Sequence, residues 1–101
     1  MKLMTKAIEN KLIKRGNTDG QDPDCFLKFF GGSSWTWYVQ DGKKLPNGDW
    51  EFFGKVVSSL CPEGELGYFR LSELQAVRFP PFNLGIERDM YWHPKPISQC
   101  N

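Results

Sequence analysis

WTWYVQ, residues 35–40, decides the fold. Trp35, Trp37 and Val39 fall on one side of an alternation, and Thr36, Tyr38 and Gln40 on the other. A period of two is that of an extended strand, whose successive side chains point to opposite faces of a sheet. The Trp35–Trp37–Val39 face is too apolar to be left in water along a whole strand, and burial beneath a helix is expected. Tyr38, on the opposite face, is expected to lie on an open contact surface.

The neighbouring segments extend the sheet. Upstream, CFLKFF (25–30) is a second extended run, ended by Gly31–Gly32. Downstream, DGKKLPNGD (41–49) reads as a long hairpin connection built on the Asn47–Gly48 turn signal, which puts Lys43 and Lys44 on an exposed loop. WEFFGKVVSSL (50–60) is a third strand, with Gly54 marking a bulge or a bend. CPEG (61–64) has the composition of a tight turn, and ELGYFRL (65–71) returns as the fourth strand.

Helical signals flank this run. Thr5 is an expected N-cap, Met4, Ala7, Ile8 and Leu12 recur on one face, and Lys14–Arg15–Gly16 forms a stop of cations followed by glycine. Ser72 and Gln75 form an S-x-x-Q box opening a short helix, ELQAV (73–77), which Pro80–Pro81 forbids from continuing. The rest is extended, with Ile86, Met90 and Trp92 on one side of an edge strand that Arg88 interrupts. The expected fold is α+β, one domain over residues 1–101: an N-terminal helix, a four-stranded antiparallel meander sheet, a short second helix and an extended C-terminal tail, with the helices on one face of the sheet.

Composition narrows the chemistry. Of 101 residues, 40% are hydrophobic and 15% aromatic, so a small core is built from a few large side chains. The net charge of +1 gives no overall field toward nucleic acid or an anionic membrane. Charge is uneven: residues 1–16 carry five cations and one anion, 5 − 1 = +4, and the remainder carries 8 − 11 = −3. The basic stretch reads first as a solvated helix face and second as a docking patch for an acidic partner. No apolar run follows the first lysines and none is long enough to span a bilayer, so a cytoplasmic protein with neither signal peptide nor membrane contact is expected.

No catalytic signature is present. Cys25, Cys61 and Cys100 form no C-x-x-C pair, and three buried or free thiols in a reducing compartment are expected rather than a disulfide or a zinc site. His93 stands alone. In NTDGQDPD (17–24), Asn17, Asp19 and Gly20 fit an EF-hand loop, but Arg15 would be the first ligand and Phe26 the closing glutamate, so the segment reads as a turn. Neither a G-x-S-x-G elbow nor a phosphate loop occurs, and no metal or cofactor is implied.

What remains is binding. Tyr38, Lys43 and Lys44, together with Glu87, Arg88, Asp89, Tyr91 and Trp92 of the tail, are the candidate contacts to a protein partner, because Tyr, Trp and Arg dominate interface energetics. Arg88 has a structural reading too, in which its guanidinium forks onto Glu51, Glu65 or Glu73. The alternative is single-stranded nucleic acid, stacked on the sheet aromatics beside Lys28, Lys55 and Arg70.

LMTKAIENKL at the start, then KFFGGSSWTWYV, FFGKV, ELGYFRLSELQAVR and IERDMYWHPKP, resemble in order the bacterial and phage family called domain of unknown function 2958. The resemblance covers nearly the whole chain. It implies a small cytoplasmic accessory protein of a plasmid, phage or other mobile genetic element, with no catalytic residue to carry over. By analogy it implies a non-enzymatic inhibitor of a host defence system, of anti-CRISPR or anti-restriction type, whose partner is a host or element-encoded protein.

Overall fold

The computed structural model describes residues 2–32 and 34–101. Its first element, α1 (Lys6–Arg15), starts and stops at the expected residues. The Thr5 hydroxyl accepts from the Ile8 N–H, and Gly16, at φ 65°, donates its N–H to the Leu12 carbonyl. Leu12 is fully buried, with Met4 and Ile8 packed beside it; Ala7, expected on the same stripe, is exposed. Glu9 holds the helix to the sheet by accepting from the Trp50 indole N–H at 3.3 Å and pairing with Lys44 at 3.5 Å.

The extended run 25–30 divides at Phe26 into β1 (Asp24–Cys25) and β2 (Leu27–Gly31). β3 (Trp35–Lys44), β4 (Trp50–Ser58) and β5 (Cys61–Arg70) follow as antiparallel neighbours. β3 outruns its expected end at Gln40, because residues 41–44 stay paired with 50–53; the connection is only residues 45–49. Lys43 and Lys44 are therefore strand residues, not loop residues. The bulge lies opposite Gly54, where Gln40 is the extra residue between the Val39–Gly54 and Asp41–Phe53 pairs. Gln40 turns inward and donates to the Thr18 carbonyl and hydroxyl.

The hairpin between β4 and β5 turns at Ser59–Leu60, so CPEG is strand and not turn. A register shift between Val56 and Ser58 and a φ of 82° at Gly64 absorb the irregularity. Pro62 is tolerated because β5 is an edge strand, where a missing N–H leaves no ladder bond unmade.

α2 (Leu71–Ala76) begins earlier than the S-x-x-Q box suggested. Leu71 and Leu74, three apart, both face the core, and Glu73 accepts from the Arg70 N–H at 2.8 Å. Ser72 caps nothing in the helix; its N–H and hydroxyl go to Asp49. A fifth strand, β6 (Glu87–Arg88), then pairs with β2, giving the order β5-β4-β3-β2-β6. The expected four-stranded meander is thus extended by one short edge strand. Ile86 is buried, but Met90 is exposed, because the chain turns at Asp89 instead of continuing as a strand. Finally β7 (Lys95–Pro96) pairs with β1, and a 3-10 turn, Ile97–Gln99, brings Cys100 inside.

Two apolar cores result. Trp37, Val39, Phe29, Phe52 and Trp50 pack with the two helices on one face of the sheet. On the other face Tyr38, Cys25, Ile97 and Cys100 form a smaller cluster beneath the tail, with Val57 and Trp92 against it. Among the described residues no helix is long and apolar enough to cross a membrane.

Candidate functional site

A concavity of about 1100 Å³ lies at the β6 edge of the sheet. The end of β2, the segment 2–4, the last turn of α2 and the loop 79–86 enclose it. A short bridge shapes that loop: Phe79 and Leu84 exchange both backbone hydrogen bonds, at 2.8 and 3.1 Å, around the cis Pro80–Pro81 bond. Phe79 lies on the backbone of Gly31–Gly32, where a Cβ on Gly31 would stand 2.6 Å from the ring. This is the physical reason for two glycines at the end of β2. Phe82 is 79% exposed, and Leu84 and Phe30 are exposed beside it. The polar lining is Lys2, Gln75, Arg78 and Glu87. Arg78 is held in place by donating to the Gln75 and Val77 carbonyls.

Phe30 is shared with a shallower groove, of about 510 Å³, lined also by Lys28, Trp35, Thr36 and Asp89. Asp89 closes its end. Its backbone N–H donates to the Lys28 carbonyl at 2.9 Å, its carboxylate pairs with the Lys28 ammonium at 3.3 Å, and it accepts from the Tyr91 N–H at 3.0 Å. That last bond is an Asx-type turn, and it leaves Met90 and Tyr91 standing in solvent, Tyr91 at 91% exposure.

Behind this turn the chain binds to itself. The Trp92 indole N–H donates to the Cys25 carbonyl at 2.7 Å, and its ring packs on Tyr38 at 5.5 Å. Lys28 and Lys95 hold their ammonium groups 4.7 and 5.3 Å from the Trp92 ring centre. Tyr38 is only 4% exposed, and burial raises its hydroxyl pKa. Burial likewise pushes the Cys25 thiol up to about 12 and raises that of Cys100, so neither is a ready thiolate at neutral pH. His93 is exposed while Cys25 is buried, so these two form no nucleophilic pair. Among the described residues no three His, Cys, Asp or Glu side chains are grouped so as to hold a metal ion.

The residues expected from sequence thus separate. Glu87 lines the cleft, Asp89 lines the groove and Arg88, half-buried, lies between them on β6. Tyr91 stands at the end of this surface. Tyr38, expected on an open face, is instead covered by the tail, and Trp92 is the residue that covers it. Lys43 and Lys44 are exposed but lie at the opposite end of β3 from Trp35, roughly 30 Å away at the rise of an extended strand. Two of the acids expected to take the Arg88 fork are out of reach: Glu51 and Glu65 stand on β4 and β5, across β2 and β3 from β6 and so roughly 14 Å or more away. Phe30, Phe79, Phe82 and Leu84 were not among the expected contacts. The signal of the last three is RFPPFNL (78–84), in which two aromatic rings flank a proline pair; read for Pro80–Pro81 alone, it says only that α2 must stop.

These features define a small α+β domain that presents a cleft and an aromatic turn along one sheet edge. The chain belongs to the family described as protein of unknown function (DUF2958), matched over residues 3–100. No curated protein and no solved structure matches it.

Proposed function

We propose that the protein is a non-enzymatic protein-binding module whose contact surface is the β6 edge: the cleft under Phe82 and Leu84, the Phe30 groove and the Met90–Tyr91 turn. The observation that carries this is the exposure of Phe30, Phe82, Leu84, Met90 and Tyr91 along one side of a small domain. Contiguous exposed apolar surface rimmed by polar groups marks an interaction site, and aromatic anchors supply most of the energy of such contacts. Lys2, Gln75, Arg78 and Glu87 on the rim suit the carbonyls and side chains of a polypeptide. The nucleic-acid alternative needs open rings beside free cations on the sheet. Here Tyr38 is covered, Lys28 is paired with Asp89, and the Lys55 ammonium donates to the Ile97 and Cys100 carbonyls, which leaves that alternative the exposed Tyr68 ring and Arg70 on β5.

Affinity capture from host lysate, run in parallel with Phe82→Asp and Tyr91→Ala, tests this reading. The expected result is one defined protein complex that survives nuclease treatment and is lost with either variant while their melting temperatures hold. Recovery abolished by nuclease would replace it with the nucleic-acid reading. The finer proposal, an anti-CRISPR or anti-restriction inhibitor carried by a mobile element, is supported by the family resemblance alone. It is tested by phage plating on a defence-active host expressing the protein; the expected result is restored plating.

A further inference from the structure

The cleft at the β6 edge is charged unevenly around its apolar lining. Lys2, on the segment leading into α1, and Arg78, just past the end of α2, stand on its helical side; Glu87, on β6, stands on its sheet side. Among the described residues neither Lys2 nor Arg78 is ion-paired. Arg78 uses one nitrogen, Nη1, on the Gln75 and Val77 carbonyls, which fixes the guanidinium at the rim while its other N–H groups can serve a further acceptor. The positive field continues along the chain. Residues 1–16 hold five cations and one anion, Glu9, and Glu9 is turned to the sheet, where the Trp50 indole and Lys44 engage it. Lys11 and Arg15 lie over the Phe26 ring. Lys6 and Lys14, like Lys2, are exposed and, among the described residues, not ion-paired.

We infer that the cleft takes an acidic segment of a partner polypeptide: one large apolar side chain enters beside Phe82, and flanking Asp or Glu side chains reach Lys2 and Arg78. This rests on the cleft reading above and names the chemistry of its partner. The volume, about 1100 Å³, exceeds the usual range of a small-molecule pocket, which favours a stretch of chain over a single small ligand. A guanidinium already anchored by carbonyls loses little further freedom on binding, and a carboxylate makes its strong, charge-assisted acceptor. Exposed cations on one side draw in an acidic chain and set its direction across the cleft. Glu87 marks the other side. A uniformly anionic strand of nucleic acid would carry its phosphates past that carboxylate, whereas a polypeptide can set an amide N–H or a hydroxyl against it.

Selection of a phage-displayed library of random peptides on the protein tests this. The enriched sequences are expected to carry a large apolar residue with Asp or Glu close by, and to be lost on Phe82→Asp. In fluorescence anisotropy at low salt, Lys2→Glu and Arg78→Gln are each expected to weaken an enriched peptide by about fivefold, the upper end for one exposed ion pair. Both losses are expected to shrink as salt rises, and to vanish for the same peptide with its acids changed to Asn and Gln. Lys2 is exposed and precedes α1, so Lys2→Glu reports even where Arg78→Gln, at the end of α2, disturbs folding. Peptides that need Phe82 but show no acidic preference, or whose affinity ignores Lys2→Glu, overturn this inference and leave the cleft reading standing. Absence of any Phe82-dependent peptide overturns both. A single-stranded oligonucleotide that displaces the peptides and is itself weakened by Lys2→Glu overturns it in favour of nucleic acid.

Discussion

Trp37 shows how one residue commits the sheet to a side. It is buried between β3 and the helices and stacks on Trp35 at 5.8 Å. Trp37→Ala is expected to cost about 3–5 kcal/mol in chemical denaturation, the usual range for removing a core aromatic. Trp35 is half-buried at the end of β3, stacked on Trp37 against the main core, so burial of both rings holds fully only for Trp37, and Trp35→Ala is expected to cost less. Gly54 matters through what it lacks. A Cβ there would stand 2.0 Å from the Tyr38 carbonyl oxygen, backbone that the bulge at Gln40 holds in place. Gly54→Ala is therefore expected to destabilise by more than about 2 kcal/mol, as overpacking against a fixed wall does. Gly67→Ala, with open space at its Cβ, is expected to stay within about 0.5 kcal/mol in the same urea titration, as surface substitutions do.

Among the elements, two carboxylates act as clamps. Asp49 accepts from the Ser72 N–H and hydroxyl at the start of α2, and Asp22 accepts from the Ser98 N–H and hydroxyl at the 3-10 turn of the tail. The serine hydroxyl bonds are the main cause holding each carboxyl below the usual carboxylate range. A pKa depressed in the folded state contributes stability that is present above the unfolded value and is lost as pH falls through the folded value. Thermal melts are accordingly expected to be flat near neutrality and to fall below about pH 4, with the protection factor of the Ser98 amide against hydrogen exchange falling over the same interval. Asp22→Ala is expected to flatten the acid slope and to speed that exchange already at neutral pH. The element boundaries the sequence blurred have a common cause. α1 was legible because Thr5, Gly16 and the Met4–Ile8–Leu12 stripe act locally. The length of β3, the Ser59–Leu60 hairpin and the start of α2 were not, because cross-strand register and the core-facing Leu71 and Leu74 outweigh the turn and capping signals of DGKK, CPEG and S-x-x-Q.

At the scale of the molecule, the α+β order of helix, meander, helix and tail was readable from periodicity, and the helices do share one face. The second face was misread for a physical reason. Nothing in the composition of HPKPISQC (93–100) shows that it folds back more than fifty residues to cover Tyr38. The β6 surface was half legible: Glu87, Asp89 and Tyr91 stood out as polar or aromatic, whereas Phe30, Phe82 and Leu84 looked like ordinary core residues until the fold left them outside. The same arrangement orders the thiols. Cys25 and Cys100 are sealed beneath the tail and Cys61 is half-buried at the β4–β5 hairpin. A native-state thiol reagent is expected to consume Cys61 first, with Cys25 and Cys100 reacting only on unfolding; three equal rates would mean the tail is not seated. The seating also has a timing. Asp24 pairs with Pro96, 72 positions later, so during synthesis β2, β3 and β4 can emerge and pair while the residues that cover them are still unmade. A nascent chain stalled before Trp92 would carry Tyr38 and Cys25 bare to solvent or to a chaperone, because the residues that hide them are made later.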